Sequence, residues 1–240
     1  RLNKKIMAFY AGQLNDSPRG EIARNYLENR GITREIIETF QLGVAHDNWD
    51  DAVNFLKKEK VTRTIAVNSG LILPRKQGNG YYDRFRHRIM FPIFDINMQV
   101  AGFGGRVMDD AMPKYMNSPE TPVYSKSRIL YGLHAAKQYC RQEGVVYIVE
   151  GYFDFLSLFQ HGIKNTVASL GTALTREHVR ILKGYASRMV LVFDSDDAGI
   201  NAAKRSIQIF MREAVDTRIL VLPGKNDPDS FVMDNGQASF

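Results

Sequence analysis

Residues 145–151 read Val-Val-Tyr-Ile-Val-Glu-Gly, and residues 188–196 read Arg-Met-Val-Leu-Val-Phe-Asp-Ser-Asp. Both are short apolar runs that stop at an acid, Glu150 in one and Asp194 in the other. A helical pattern follows each, over Tyr152–His161 and over Asp197–Ala214. Between and after them the chain predicts a strand at Asn165–Ala168, a helix at Thr175–Gly184, a strand at Thr217–Leu222 and a last short helix or turn at Asp227–Asp234. Strands that alternate with helices imply βαβ units and a mainly parallel sheet. The helical stretch Tyr131–Gln142 leads into this half, and the change of pattern there sets the expected boundary, with domains at 1–130 and 131–240.

Upstream the pattern differs. Ile6, Phe9, Tyr10 and Leu14 fall at helical spacing, which predicts a helix over Leu2–Leu14. Ser17-Pro18 starts a second helix that runs to Arg30 and stops at Gly31. Thr33 starts a third, ending near Phe40, and Trp49–Glu59 predicts a fourth. Arg88–Phe94 and Gln99–Val107 read as strands joined by a turn at Asp95–Met98. Gly102, Gly104 and Gly105 in the second strand predict a bulge or a close approach by another group. Ala111–Ser127, broken by Pro113, Pro119 and Pro122, reads as irregular. The expected fold class is thus α+β with α/β: a small helical and mixed basic front, then a parallel α/β unit.

The composition, 44% hydrophobic and 24% charged in 240 residues, is that of a globular protein and excludes a disordered or fibrous one. No run approaches the ~20 apolar residues of a membrane helix, and Arg1–Leu14 lacks the pattern of a secretory signal. A single cysteine, Cys140, excludes an internal disulfide and a cysteine-cluster zinc site, and a reducing cytoplasm is expected. Through Val149 there are 22 Lys and Arg against 15 Asp and Glu; from Glu150 onward there are 10 against 11. A basic front is either a solvated surface or the footprint of a polyanion partner.

In open α/β sheets, ligands sit outside the carboxyl ends of the strands. Glu150 and Asp194 stand at two such ends, Asp196 lies two residues on, Asp154 one helical turn after Glu150, and Asp227 and Asp229 follow the last strand. Taken singly, each acid has an ordinary explanation. Glu150 complements a helix dipole, Asp196 caps the next helix, and Asp227 and Asp229 shape a turn around Pro228. Taken together at successive strand ends, their repulsion calls for a cation, and an all-oxygen set suits Mg²⁺ or Mn²⁺. That apparatus serves phosphoryl transfer. Competing templates fail: Gly224-Lys225 is followed by Asn226, position 107 is Val where a dinucleotide loop needs Gly, and no Cys/His nucleophile pair is evident.

These residues resemble a known family. Val146-Tyr-Ile-Val-Glu150-Gly151-Tyr152-Phe-Asp154, Ala168-Ser-Leu-Gly171-Thr172-Ala-Leu-Thr175 and Phe193-Asp194-Ser-Asp196-Asp-Ala-Gly199 are similar to the core of the Toprim fold. The front resembles the polymerase domain of bacterial DnaG-type primases. It does so through Tyr26-Leu-Glu-Asn-Arg30-Gly31, Arg84-Phe-Arg86-His-Arg88-Ile-Met-Phe-Pro92-Ile, Gly102-Phe-Gly104-Gly105-Arg106-Val, Pro113-Lys114-Tyr115-Met-Asn117-Ser118-Pro119-Glu-Thr121 and Leu130-Tyr131-Gly132-Leu. The motifs occur in family order over nearly the whole chain.

The resemblance implies a DNA-dependent RNA polymerase core that makes short RNA primers on single-stranded DNA, at the bacterial replication fork in the cytoplasm. It implies Glu150, Asp194 and Asp196 as catalytic metal-binding acids, with Asp154, Asp227 and Asp229 serving a second metal or the triphosphate. It implies Arg30, Arg84, Arg86, Arg106, Lys114, Asn117 and Lys126 along a groove for template and nucleotide. Ribonucleoside triphosphates, an RNA–DNA hybrid product and Mg²⁺ or Mn²⁺ follow as ligands. The family's zinc-binding and helicase-binding domains are expected outside this sequence, and with them zinc and the replicative helicase. Tyr81, Tyr82 and Tyr115 are candidates for stacking on bases, whereas Phe85 is expected in the core. Two other readings compete: a Toprim nuclease or topoisomerase-like fragment, which would cut DNA, and a non-catalytic basic module that binds single-stranded DNA without metal.

Overall fold

The structure is a computed structural model that describes residues 1–171, 173–193, 206–223 and 227–240. It divides into two compact units, Arg1–Ile93 with Gln99–Ser125, and Phe94–Met98 with Lys126–Phe240.

The first unit opens with α1 (Leu2–Asn15), whose Ile6, Met7, Tyr10 and Leu14 are buried. Ser17 accepts from the Arg19 N–H and starts a short 3₁₀ turn, Pro18–Gly20, rather than the α-helix expected from that point. α2 (Glu21–Asn29) follows and ends at Gly31, whose φ of 68° is a left-handed turn that glycine adopts without strain. Thr33 caps α3 (Arg34–Thr39) by accepting from Ile36 N–H. Then come β1 (Gly43–Ala45), α4 (Asp51–Lys58), α5 (Arg63–Asn68), β2 (Ile72–Pro74), β3 (Tyr81–Asp83), β4 (Arg88–Phe94), β5 (Val100–Val107) and β6 (Tyr115–Asn117). One sheet has the order β1-β4-β5-β6, with β1 antiparallel to β4 and β6 antiparallel to β5; β2 and β3 form a separate antiparallel pair. The expected turn at Asp95–Met98 is present: Asp95 accepts from Asn97 N–H through its carboxylate and from Met98 N–H through its carbonyl.

One expectation needs correction. Ala111–Ser127 is not wholly irregular: β6 lies within it, and a strand of three residues shows no readable period. β1, β2 and β3, equally short, add to the expected strands of the front. The glycines of β5 answer to crowding by side chains. A Cβ on Gly102 would stand 3.2 Å from Ser118 and Tyr124, and one on Gly105 would stand 3.0 Å from Phe85 and Arg88.

The second unit holds α6 (Leu133–Glu143), β7 (Val145–Val149), α7 (Tyr152–Gln160), β8 (Thr166–Ala168), α8 (Arg176–Lys183), β9 (Arg188–Phe193), α9 (described over 206–213), β10 (Asp216–Val221) and α10 (Pro228–Asn235). All neighbouring strands run parallel in the order β10-β9-β7-β8. Val146, Ile148, Met189 and Leu191 cluster with Leu133, Ala136 and Cys140 of α6, Val179 and Leu182 of α8, and Phe210 of α9. Each fully buried Leu or Ile there contributes roughly 1.5–3 kcal/mol. α7 is buried along nearly its whole length and packs against α10. Tyr131 bridges to Ala168 through two backbone hydrogen bonds of 2.9 and 3.0 Å, which fixes the entry to α6. No helix among the described residues is long and apolar enough to cross a membrane.

Candidate functional site: an acid sheet edge and a basic aromatic surface

β7 and β9 are parallel neighbours with Ile148 opposite Leu191, so both carboxyl ends lie on one sheet edge. Glu150 follows β7 and is exposed there. The segment after β8 is tied to the same edge, because Ser169 N–H donates to the Val149 carbonyl and Leu170 N–H to the Glu150 carbonyl, both at 3.1 Å. Asp154 turns back from the first turn of α7, and its Oδ2 accepts from Gly151 N–H at 3.0 Å. A Cβ at position 151 would stand 2.8 Å from that oxygen, so glycine is what admits the carboxylate so closely.

Asp227 caps α10, accepting from Ser230 N–H at 2.8 Å, and Asp229 is buried in that helix's first turn. Two of the six acids, Asp154 and Asp227, therefore have local structural work. Asp194 and Asp196 lie outside the described residues. Among the described residues no group of three or more His, Cys, Asp or Glu is gathered closely enough to hold a metal ion, so the four described acids form no cage by themselves. The donor set is nonetheless all oxygen, with an exposed carboxylate at the strand end, which fits a hard divalent cation.

In the first unit, the predicted cations fall into two groups. Around β5 and β6, Arg106 stands opposite Tyr115. Its guanidinium donates to the Tyr26 hydroxyl and lies over the rings of Tyr26 at 5.6 Å and Tyr115 at 5.4 Å. Arg30 lies four residues after Tyr26, at the end of α2. Lys114 is exposed, and Asn117, half-buried, pairs with Gly104. Arg106 itself is only 8% exposed, while Tyr115 is 38% exposed. The Arg106 guanidinium thus lies over two aromatic rings, one of them exposed.

The second group surrounds β3. Arg86 places its guanidinium 4.0 Å from the Trp49 ring centroid and 5.4 Å from that of Tyr82, and Arg75 approaches Trp49 at 5.9 Å. Trp49 is 54% exposed. Sequence reasoning read it only as a helix start; the signal available was that it is the single tryptophan of the chain, in a basic half. Arg84 is half-buried, and desolvation holds its guanidinium below the usual range. Arg88, within the same basic strip, is a core residue: it donates to the carbonyls of Pro113 at 2.8 Å and of Gly105 and Lys114 at 3.3 Å. Phe85 is buried as expected. Lys126 is half-buried in the second unit.

Comparison with known proteins follows this division. Residues 9–137 match the family of the DNA primase catalytic core, N-terminal domain, and residues 147–232 match the Toprim-like family. The DNA primase of Clostridium acetobutylicum is 44% identical over 218 residues; the match covers 91% of this chain and 36% of that protein, so this chain spans about a third of its length. A crystal structure of a DNA primase domain from Pseudomonas aeruginosa superposes with a TM-score of 0.91 at 39% identity, covering 99% of this chain and 75% of that one. A DnaG primase catalytic domain bound to single-stranded DNA gives 0.90 at 37% identity, covering 99% and 77%.

Proposed function

The chain belongs to the DnaG primase catalytic-core family, and on that premise we propose that it is the RNA polymerase core of a replicative primase, joining ribonucleotides into short primers on single-stranded DNA. The observation that carries the reading is the coexistence, in one chain, of a basic aromatic surface with a parallel sheet whose adjacent strands run into Glu150 and Asp194.

In this reading Arg30, Arg84, Arg86, Lys114 and Lys126 neutralise template phosphates, and Asn117 hydrogen-bonds the strand or the nucleotide. Trp49, Tyr82 and Tyr115 offer faces to unstacked bases. Base pairing with the template selects the nucleotide. The reaction joins the 3′-hydroxyl oxygen of one nucleotide to the α-phosphorus of the next, and pyrophosphate leaves. Glu150, Asp194 and Asp196 would hold Mg²⁺ or Mn²⁺, and Asp154, Asp227 and Asp229 would serve the second metal or the triphosphate. When bound, such ions neutralise charge on the phosphoryl oxygens and align the in-line displacement. Gly151 and Asp154 keep the Glu150 turn in one conformation, so the carboxylate is placed before substrate arrives. The division of labour at 1–130 and 131–240, the RNA–DNA hybrid product, the bacterial replication fork as location, and the helicase partnership through a separate domain belong to the same proposal.

The test is incubation with single-stranded DNA, ribonucleoside triphosphates and Mn²⁺. RNA dinucleotides and longer chains, lost on Glu150→Gln, are expected. Cut DNA would move the assignment to a Toprim nuclease. Template binding with neither product, unchanged by chelation, would leave a binding module.

A further inference from the structure

Asp83 ends β3 and is buried, yet it makes no ion pair among the described residues. Its carboxylate faces the start of α4, where Oδ2 accepts from Ala52 N–H at 2.7 Å and Oδ1 from Val53 N–H at 2.9 Å. Helix starts leave these donors without intrahelical partners, and Asp50, at the N-cap position, makes no side-chain cap. The helix is therefore capped from another strand. The same residue's backbone completes a loop of contacts. Asp83 N–H donates to the Trp49 carbonyl at 2.8 Å, and the Asp83 carbonyl accepts from the Arg86 guanidinium at 2.5 Å. One residue thus grips residues 49, 52, 53 and 86, the segments that bring the Trp49 ring and the Arg86 guanidinium within 4.0 Å of each other.

We propose that Asp83 is a positioning residue for template binding, holding Trp49 and Arg86 as a preformed stacking platform. The inference rests on the reading of that surface as part of the template track. An unpositioned indole and guanidinium would have to be ordered by the DNA itself, at the expense of affinity. A second property makes the staple observable. Burial, with Asp51 and Asp50 adding repulsion against the two capping N–H bonds, raises the Asp83 carboxyl to about 6. Tyr10 faces it from α1, protonated because burial drives its pKa far upward. Arg86 approaches only the carbonyl. Below about pH 6 the carboxyl is neutral and its two bonds lose their charge assistance. Because the folded pKa exceeds the unfolded value, this group adds global stability on acidification while the local staple loosens.

Trp49 is the chain's single tryptophan, so its emission reports the platform alone. The experiment compares wild type and Asp83→Asn in tryptophan emission, compares wild type, Asp83→Asn and Trp49→Ala in anisotropy with fluorescent single-stranded DNA at pH 7.5, and follows wild-type emission from pH 8 to 5. Asp83→Asn removes a negative charge, which by electrostatics alone tightens DNA binding. The proposal expects the reverse, with affinity lower by about threefold or more, consistent with roughly 0.6 kcal/mol or more. The salt dependence should be unchanged, the emission altered, and the wild-type emission should change with a midpoint near 6. Equal or tighter binding with unaltered emission overturns the proposal. Altered emission in Asp83→Asn, with binding undiminished in both Asp83→Asn and Trp49→Ala, overturns it through the platform reading and leaves Asp83's hold on the indole standing. If Asp83→Asn does not fold, the wild-type profile decides: a transition near 6 supports the proposal, and flat emission from pH 8 to 5 overturns it.

Discussion

Arg106 donates to the hydroxyl of Tyr26 and spreads its charge across the same ring, although the two residues come from a strand and a helix far apart in the chain. The guanidinium is buried and also lies against Tyr115, so its planar shape matters more than its charge. Arg106→Lys should therefore weaken single-stranded DNA binding several-fold while leaving the slope of log affinity against log salt as it was. Lys114→Ala, at an exposed cation, should lower that slope by about 1. Fluorescence anisotropy across a salt series measures both. Wild-type affinity in Arg106→Lys would remove the bracing role.

Glu150 and Asp154 separate function from stability. Glu150 is exposed, so Glu150→Gln should leave Tm within about 2 °C of wild type, as surface changes do. On the proposed function it should still cost primer synthesis about 100-fold or more, the scale for a group that stabilises transition-state charge. Asp154→Ala removes the cap on Gly151, about 1 kcal/mol or some 2–4 °C in Tm for a chain of this size, in addition to any loss of metal. Calorimetry with and without Mn²⁺ makes the comparison. The ion should raise the Tm of wild type and leave that of Glu150→Gln unmoved. An equal Mn²⁺ shift in both proteins would take Glu150 out of the metal site.

The parts of this architecture that depend on neighbours in sequence were legible there. β4 and β7 were read to the residue, as Arg88–Phe94 and Val145–Val149, because an uninterrupted apolar run is a local property. The strand-end acids were found for the same reason. β1, β2, β3, β6 and α5 were missed, since three residues show no readable period and a six-residue helix with only Ala66 buried carries no readable apolar face. The pairing of Trp49 with Arg86 was invisible because Asp83 makes it through space. Within the basic strip at Arg84–Arg88, charge alone does not distinguish Arg88, bonded to three carbonyls in the core, from half-buried Arg86, whose guanidinium lies against the Trp49 ring. Asp194 and Asp196 lie outside the described residues, and their roles rest on sequence position within the family.

Asp227 has a cap to serve and, by proposal, a triphosphate or metal. Substitution can separate the two. Asn caps as well as Asp, so Asp227→Asn should keep Tm but lower nucleotide or Mn²⁺ affinity. Asp227→Ala should lose about 1 kcal/mol from the α10 start as well. Titration calorimetry with Mn²⁺ and a nucleoside triphosphate supplies the affinity. An Asn variant indistinguishable from wild type in both measurements would reduce Asp227 to a helix cap.

Gly132 is required by the packing around Tyr131. Its φ of 80° is left-handed, and a Cβ there would stand 2.0 Å from the Phe155 ring. Phe155 in turn meets the Tyr131 ring edge-on at 5.1 Å, inside the helix that begins just after Glu150 and Gly151. Gly132→Ala must move that ring or the backbone, and should cost about 4 kcal/mol or more, on the scale of the most damaging single substitutions. Gly171 isolates the backbone cost. Its φ is 69° with nothing within 4 Å of a Cβ, so Gly171→Ala should lose only the roughly 1–2 kcal/mol of a left-handed alanine. Denaturant unfolding of the two variants gives the difference. Equal losses would mean that Phe155 yields without cost. A large excess in Gly132→Ala, accompanied by loss of primer synthesis in the protein that remains folded, would show that α7 is held rigidly from behind and that this rigidity sets the position of the Glu150 turn.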